Sequence, residues 1–404
     1  MPESAVEKEL SKGNDLSVVN LINSLVEHAY ALQASDIHLD PTQNALRVRL
    51  RVDGVLRDVF TVPQAFHYEV ISRLKVVSGL RTDEHYVAQD GRFQNIISEI
   101  GPVDVRVSIV PSYHGESAVL RLLAGHSETH SLEGLGFGKK DRDHILQAIE
   151  RPHGMILATG PTGSGKTTTL YSLLKLLNVP DVSIVTIEDP IEYAIPGVKQ
   201  IQVNPRVGFA FATGLRSILR QDPNIIMVGE IRDAETAGIA VNTALTGHLL
   251  LSTLHTNDAA TTLPRLLDMK IEPYLVASTV NVAIGQRLVR KICSHCKTRR
   301  ELRKSEERHL LGLLTESNVI AGRVLYEGKG CDRCSQTGYA GRIGIYEVLV
   351  LNDEIRDAIL RKASASDIRA IACRRGMTTM FHDGLQKVSA GLTTLEEIFR
   401  TVHE

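Results

Sequence analysis

The chain has 404 residues, 43% of them hydrophobic, with 46 basic against 47 acidic side chains. That length allows two or three domains with real cores, and the balanced charge gives no support to generic nucleic-acid binding. No uninterrupted apolar run approaches the roughly 18 residues needed to span a bilayer, and the polar start, residues 1–14, is no secretory signal. The expectation is a soluble cytoplasmic protein that reaches a membrane only through a partner.

Residues 1–14 read as a flexible tail, and Asp15 as the cap of a helix with apolar positions at Leu16, Val19, Ile22, Leu25, Val26 and Ala29. Leu46 to Val52 alternates apolar and basic residues, and Asp53-Gly54 marks a hairpin turn into Val55 to Phe60. Tyr68 to Leu80 reads as a helix carrying Arg73. Gln89-Asp90-Gly91-Arg92 reads as a turn before a strand at Phe93 to Ile97. Two more strands follow, Val103 to Ile109 and Ser117 to Leu123. Residues 15–124 are therefore expected to form an α+β domain, with 125–138 as a linker.

From residue 139 the pattern changes to short β-rich runs separated by helices: Met155 to Ala158, Ser183 to Ile187, Ile225 to Val228 and Leu249 to Leu254. Such alternation predicts a mostly parallel sheet covered on both faces, a RecA-like α/β core over residues 139 to about 290. Residues 346–404 read as a helical C-terminal part.

The first apolar run leads into Gly160-Pro161-Thr162-Gly163-Ser164-Gly165-Lys166-Thr167, followed by helix formers from Thr168. Two glycines with four residues between them, then Lys and Thr, between strand and helix, form a phosphate-binding loop. Its backbone N–H groups and the helix dipole would face a polyphosphate. Lys166 would reach the β- and γ-phosphates of ATP, and Thr167 would hold Mg²⁺.

Ile225 to Glu230 is an apolar strand ending in a carboxylate, the position from which Glu230 would serve the metal. Thr186-Ile187-Glu188-Asp189-Pro190-Ile191-Glu192-Tyr193 ends another strand in acids, expected beside the loop. Glu192 is favoured as the base and Glu188 as a metal- or water-shell partner, although spacing alone does not separate them. His248 and His255 bracket a buried strand and are read as γ-phosphate sensors. Arg216 and Arg220, four apart on one helical face, are candidates to clamp phosphates. Arg232, Arg51 and Arg73 join them, with contacts possible across a subunit boundary.

Cys293-x-x-Cys296 and Cys331-x-x-Cys334, separated by the 34 residues 297–330, can supply four thiolates to one structural Zn²⁺. Residues 291–345 are thus expected to form a zinc subdomain, with a helix at about Ser305 to Leu314.

Taken together the motifs resemble those of the secretion ATPases that power type II secretion and type IV pilus assembly, over about Leu16 to Val402. Ala34 to Pro41 is similar to that family's opening signature, Thr159 to Thr169 to its Walker A and Thr186 to Tyr193 to its acidic box. Gly229 to Asp233 is similar to its Walker B, and Thr246 to Ala259 to its histidine box. The resemblance implies a PAS-like N-terminal domain, a homo-hexameric ring and nucleotide between two domains. It places Arg51 and Arg73 over the phosphates and implies partners on an inner-membrane platform. The two cysteine knuckles point to the secretion and pilus-extension branch. Ala88 and Asn224 depart from the family pattern, where proline and aspartate are usual. The extra N-terminal domain that recruits family members is not seen ahead of the first signature, so the chain reads as a short member or a truncated form. The competing expectations are a RecA-like motor that translocates nucleic acid and a nucleotide-gated scaffold that does not hydrolyse.

Overall fold

The computed structural model describes residues 4–98, 100–123, 131–304, 306 and 324–402. The chain divides into two compact units, Met1–Ser127 and Glu128–Glu404.

In the first unit the helices are α1 (Ala5–Leu10), α2 (Val18–Ala31) and α3 (His67–Val77). The strands are β1 (Ala34–Pro41), β2 (Ala45–Val52), β3 (Val55–Pro63), β4 (Gln89–Ile97), β5 (Gly101–Ser112) and β6 (Gly115–Leu123). All pairings are antiparallel, in the order β3-β2-β1-β6-β5-β4. Alternate residues such as Ile37, Leu50, Val105 and Leu120 point to one face and are buried with Leu21, Leu25 and Leu74 of the helices. The β2–β3 turn has positive φ at both Asp53 (50°) and Gly54 (81°), the backbone a two-residue hairpin needs.

Three expectations fail here. Residues 4–14 are not a tail: Ser4 Oγ accepts from the Glu7 N–H (3.2 Å), Glu7 returns the contact to the Ser4 N–H (2.7 Å), and Val6 is fully buried. Glu9 then accepts from the Ser17 N–H at 2.7 Å, which fixes this helix to the start of α2. The cap of α2 is Ser17 rather than Asp15, which ends a short 3-10 turn. Gln89 to Arg92 forms the start of β4 rather than a turn. A Cβ on Gly91 would stand 2.7 Å from the Ser78 carbonyl oxygen, so glycine is there to let strand and helix end approach.

The second unit opens with α4 (Lys139–Ile149), β7 (Gly154–Thr159), α5 (Lys166–Leu177), β8 (Ile184–Glu188) and β9 (Lys199–Gln202). It continues with α6 (Phe211–Ile218), β10 (Ile225–Val228), α7 (Ala234–Leu245), β11 (Leu249–Leu254), α8 (Ala259–Asp268) and α9 (Pro273–Thr279). β12 (Val280–Ile292) and β15 (Tyr339–Val350) pair antiparallel. Between them lie the two short strands β13 (Lys297–Arg300) and β14 (Leu325–Gly328). α10 (Asp353–Leu360), α11 (Ala365–Arg374), α12 (Met380–Ser389) and α13 (Leu395–Thr401) finish the chain.

The large sheet runs β15-β12-β7-β11-β10-β8-β9, parallel except for β15. Its strands are apolar on both sides because both sides are covered. Met155, Leu157, Ile226 and Leu250 enter a core with α7 and α8, while Ile156, Ala158, Met227 and Leu251 enter another with α5. This is the RecA-like core expected from the sequence, but residues 346–350 belong to β15 and not to a helical part. The expected insert helix at about 305–314 and residues 125–130 of the expected linker lie outside the described residues. Among the described residues no helix is long and apolar enough to cross a membrane.

One ion cluster fixes the helical end to the sheet. Glu397 on α13 accepts from Arg290 of β12 through its backbone N–H (3.0 Å) and Nη2 (2.6 Å), and from Arg400 Nε (2.9 Å). Burial works against the charged carboxyl, but Arg400 and Arg290 prevail and hold it at about 2. The stability this gives is complete above the ordinary value of 4.5 and fades as pH falls toward 2. Glu397→Gln is therefore expected to lower unfolding stability by about 3–5 kcal/mol at neutral pH, since it breaks a buried ion pair. Urea midpoints of the two proteins should converge as pH drops below about 4.5.

Candidate functional site

The phosphate loop follows β7, whose six residues are all buried. Gly163 (φ 79°) and Gly165 (φ 85°) take the left-handed backbone that turns the loop into α5. Lys166, the first residue of α5, is buried and folds back on the loop, donating to the carbonyls of Gly160 (2.7 Å) and Pro161 (3.1 Å). Burial pushes its ammonium below the ordinary lysine value, and the Glu230 carboxylate partly offsets this. Ser164 Oγ is buried in the same loop without a hydrogen-bond partner among the described residues. A half-desolvated cation and an unpaired hydroxyl in one glycine cradle fit a bound phosphate chain. Thr167 and Thr168 follow, both half-buried, whereas Pro161 and Thr162 are exposed on the outer rim of the loop.

A residue the sequence reading missed holds this loop from β12. Gln286 is buried, donates from Nε2 to the Ser164 carbonyl (2.6 Å) and accepts from Thr169 Oγ1 (2.7 Å). A Cβ on Gly160 would lie 2.4 Å from the Gln286 carbonyl oxygen, so this glycine is required by the closeness of β12. Nothing in the local sequence around 286 signals the role, because the contacts span 122 and 117 residues.

β11 lies beside β7, and β10 beside β11. Glu230, just past β10, is largely buried and meets Arg232 Nη2 at 2.5 Å and His255 Nε2 at 3.0 Å. Burial works to raise its carboxyl, yet Arg232 and His255 hold it below the ordinary value. Glu230, Arg232 and His255 thus form one cluster at the carboxyl ends of the parallel strands, the end that carries the loop.

His248 is not part of it. It precedes β11, its backbone carbonyl accepts from the Gly154 N–H (3.1 Å), and Nδ1 lies 3.3 Å from the Thr243 carbonyl. The six-residue strand between it and His255 puts them about 20 Å apart, at opposite ends of the sheet. A sensor of the same phosphates cannot sit there.

The acidic strand is displaced from its expected place as well. β8 pairs with β10 and β9 and does not touch β7. Glu188, its last residue, is 1% exposed and faces the interior. It accepts hydrogen bonds from Tyr171 Oη, Thr186 Oγ1 (2.5 Å) and Gln200 Nε2 (3.2 Å). This sealed setting corrects its reading as a metal- or water-shell group. Glu192, by contrast, is exposed on the turn beyond β8, and its backbone N–H donates to Tyr171 Oη at 3.4 Å.

Arg216 and Arg220 are exposed on the α6 side. Arg216 pairs with Glu235 of α7 (2.8 Å), and Arg220 donates to the Arg216 carbonyl and to Ser217 Oγ (3.1 and 3.3 Å). These contacts hold both side chains on the α6–α7 surface. Arg51 and Arg73 lie in the first unit. There Arg51 Nε stands 3.3 Å from the buried Asp36, which Arg121 also contacts at 2.9 Å.

The four cysteines converge. The Sγ atoms of Cys293, Cys296, Cys331 and Cys334 lie within 4.8 Å of one another, with Cys293–Cys331 and Cys296–Cys334 at 3.8 Å and Cys331–Cys334 at 3.6 Å. Four thiolates at about 2.3 Å from one tetrahedral ion are separated by about 3.8 Å, so the set fits a closed metal site. The N–H groups of Cys331 and Gly338 donate to Cys334 Sγ (3.2 and 3.3 Å), which favours the thiolate.

Replacing Gln286 by Leu would leave the Ser164 carbonyl and the Thr169 hydroxyl unpaired in a buried place. We expect a loss of about 1–3 kcal/mol in chemical denaturation, larger than for an exposed glutamine such as Gln221.

Comparison with known proteins places this geometry. The family model described as "Type II/IV secretion system protein" matches residues 11–400. The chain is 47% identical over 382 residues to a type IV pilus assembly ATPase PilB of Thermus thermophilus. That match covers 94% of this chain but only 42% of the relative. It is 46% identical to a type II secretion system protein E of Xanthomonas campestris, over 97% of this chain and 68% of the relative. The solved structure of the pilus retraction motor PilT with bound ADP aligns at a TM-score of 0.62 and 28% identity, covering 94% of this chain and 96% of that one. The Legionella pneumophila ATPase DotB aligns at 0.68 and 23% identity, over 93% and 94% of the two chains, a likeness of fold alone. With the family model matching residues 11–400 of the chain, and a relative 46% identical over 97% of it, the chain belongs to the type II/IV secretion system protein family.

Proposed function

We propose that the chain is the Mg²⁺-dependent ATPase of a type II secretion or type IV pilus assembly machine, acting as a homo-hexamer on an inner-membrane platform protein. The observation that carries this reading is the meeting of the phosphate loop with the Glu230–Arg232–His255 cluster at one end of the parallel sheet. The printed names of the relatives support the machine. The chain spans 42% of the Thermus relative, so the cargo and the docking partners are part of the proposal.

Lys166 would leave its two loop carbonyls for the β- and γ-phosphates of ATP, exchanging neutral acceptors for anionic ones. The N–H groups of Gly160 and of Thr162 to Thr168 would cradle the same phosphates. Thr167 and Glu230 are the residues proposed to hold Mg²⁺, which when bound neutralises charge on the phosphates. Glu192, on the exposed acidic turn, is the proposed base that takes a proton from the attacking water. His255, already bonded to Glu230, is the proposed sensor of the γ-phosphate. Arg232, Arg51 and Arg73 remain proposed cations for the developing charge. Arg216 and Arg220, exposed beside α7, are proposed to serve a neighbouring copy. For the cysteine set we propose Zn²⁺ in a structural role, since four thiolates leave no open position for substrate.

Lys166→Ala and Glu192→Gln should each reduce ATP turnover by at least about a hundredfold. Lys166→Ala should also weaken nucleotide binding, and Glu192→Gln should not. Normal turnover in Lys166→Ala would refute the reading. Elemental analysis should find about one zinc per chain. Cys331→Ser should lose the zinc and melt earlier while still binding nucleotide.

A further inference from the structure

We infer that Tyr171 is a positioning residue, which holds the acidic turn that carries Glu192 in register with the phosphate loop. The inference rests on the reading of Glu192 as the base. The problem Tyr171 solves is set by the sheet order. β7 delivers the loop, β8 delivers the acidic turn, and β11 and β10 lie between them. Three strand spacings amount to about 14 Å, so no ladder hydrogen bond ties one to the other. The base and the phosphate must nevertheless agree to within a fraction of an ångström.

α5 is the element common to both. Its first residue is Lys166, and Tyr171, five residues on, is about 7–8 Å along the same rigid helix. The Tyr171 side chain is fully buried. Its hydroxyl donates to Glu188, the last residue of β8, and accepts from the N–H of Glu192 (3.4 Å) and from Gln200 Nε2 (3.3 Å). Its ring meets that of Tyr193 edge-on at 4.7 Å, and Lys175, one turn further along α5, places Nζ 5.1 Å from the centre of the Tyr193 ring. Both sides of Glu192 are therefore tied to α5, the backbone by the phenol and the next residue by its ring.

The buried Glu188 is the anchor of this arrangement. Its carboxylate takes hydrogen bonds from Tyr171, Thr186 and Gln200, so removal of any donor leaves acceptor capacity unmet in a dry interior. Burial and the Glu188 carboxylate both raise the Tyr171 phenol above its ordinary value, so it remains a donor throughout the working pH range. The role assigned to Glu188 is thus to fix Tyr171, and not to bind metal.

The test is steady-state ATP hydrolysis and nucleotide binding by the full chain carrying Tyr171→Phe, Glu188→Gln, Glu192→Gln or Tyr171→Phe with Glu192→Gln. Tyr171→Phe is expected to lower kcat about tenfold to a hundredfold with the KM for ATP changed less than about threefold. In the double variant the tyrosine change should add nothing to the loss from Glu192→Gln. Glu188→Gln, whose amide oxygen can still accept from Tyr171, should lose far less than Glu192→Gln. Parental kcat in Tyr171→Phe with Glu192→Gln inactive would overturn the positioning role and leave the base reading intact. Parental turnover in Glu192→Gln would overturn the base reading, and this inference with it. Loss of turnover in Glu188→Gln as large as in Glu192→Gln, together with ATP binding that Mg²⁺ no longer affects, would return Glu188 to the metal and overturn its role as anchor. If Tyr171→Phe does not fold, Tyr193→Leu removes the packed ring and leaves the buried hydroxyl in place. A selective fall in kcat then supports the inference, and an unchanged kcat overturns it.

Discussion

Strands β7 and β8 follow one another in the chain, yet lie three places apart in the sheet with β11 and β10 between them. Every part of the site answers to that separation. The loop after β7 is steadied by its true neighbours. Gln286 comes from β12, and Thr159, the last residue of β7, accepts through Oγ1 from the Thr256 N–H just past β11 (3.1 Å). The acidic turn after β8 is steadied instead by the helix that crosses between them. Each functional group is thus located by a different partner, and the sheet supplies only the common platform.

The carboxylates of Glu188 and Glu230 illustrate how environment divides one chemistry into two roles. Both end strands of the same sheet, and Gly229 brings their backbones close: a Cβ there would stand 3.3 Å from the Glu188 Cα. Glu230 keeps an arginine and a histidine beside it and stays charged. Among the described residues the donors to Glu188 are neutral, a phenol, a hydroxyl and an amide. A carboxylate ringed by neutral groups suits a fixed structural post. One shared by cations suits a place where charge arrives and leaves.

The parts of this protein legible in its sequence are those encoded locally. The phosphate loop, the Asp53-Gly54 hairpin and the apolar parallel strands each announce themselves within about ten residues. The cysteine pairs were legible because knuckle spacing is itself the geometry. What escaped depends on neighbours set by topology. The sealed surroundings of Glu188, the support from Gln286 and the remoteness of His248 follow from strand order, which no local pattern records. His248 and His255 look equivalent in the sequence, yet the strand between them carries them to opposite ends of the sheet. The N-terminal residues were misread for a different reason. A polar stretch with one buried valine and a Ser–Glu capping pair is too short to show a period, and only packing orders it.

The cysteine knuckles stand where β12 ends and just before β15, so the 34 residues 297–330 lie in sequence between two strands that pair in the sheet. Among the described residues of that excursion the regular pairing is the two-stranded β13–β14, which alone is marginal in water. Joining Cys296 to Cys331 through a shared ion would close a loop of about that length. On the chain-entropy relation for cross-links, this removes about 3–4 kcal/mol of freedom from the unfolded segment. Because that entropy grows only with the logarithm of length, residues can be added to or lost from the excursion at little thermodynamic penalty. Leu302 and Leu325 of the excursion pack in one apolar cluster with Val289 and Ile345 of the sheet, so a four-cysteine clip would add to that anchorage and leave the length of the chain between the knuckles thermodynamically cheap to change.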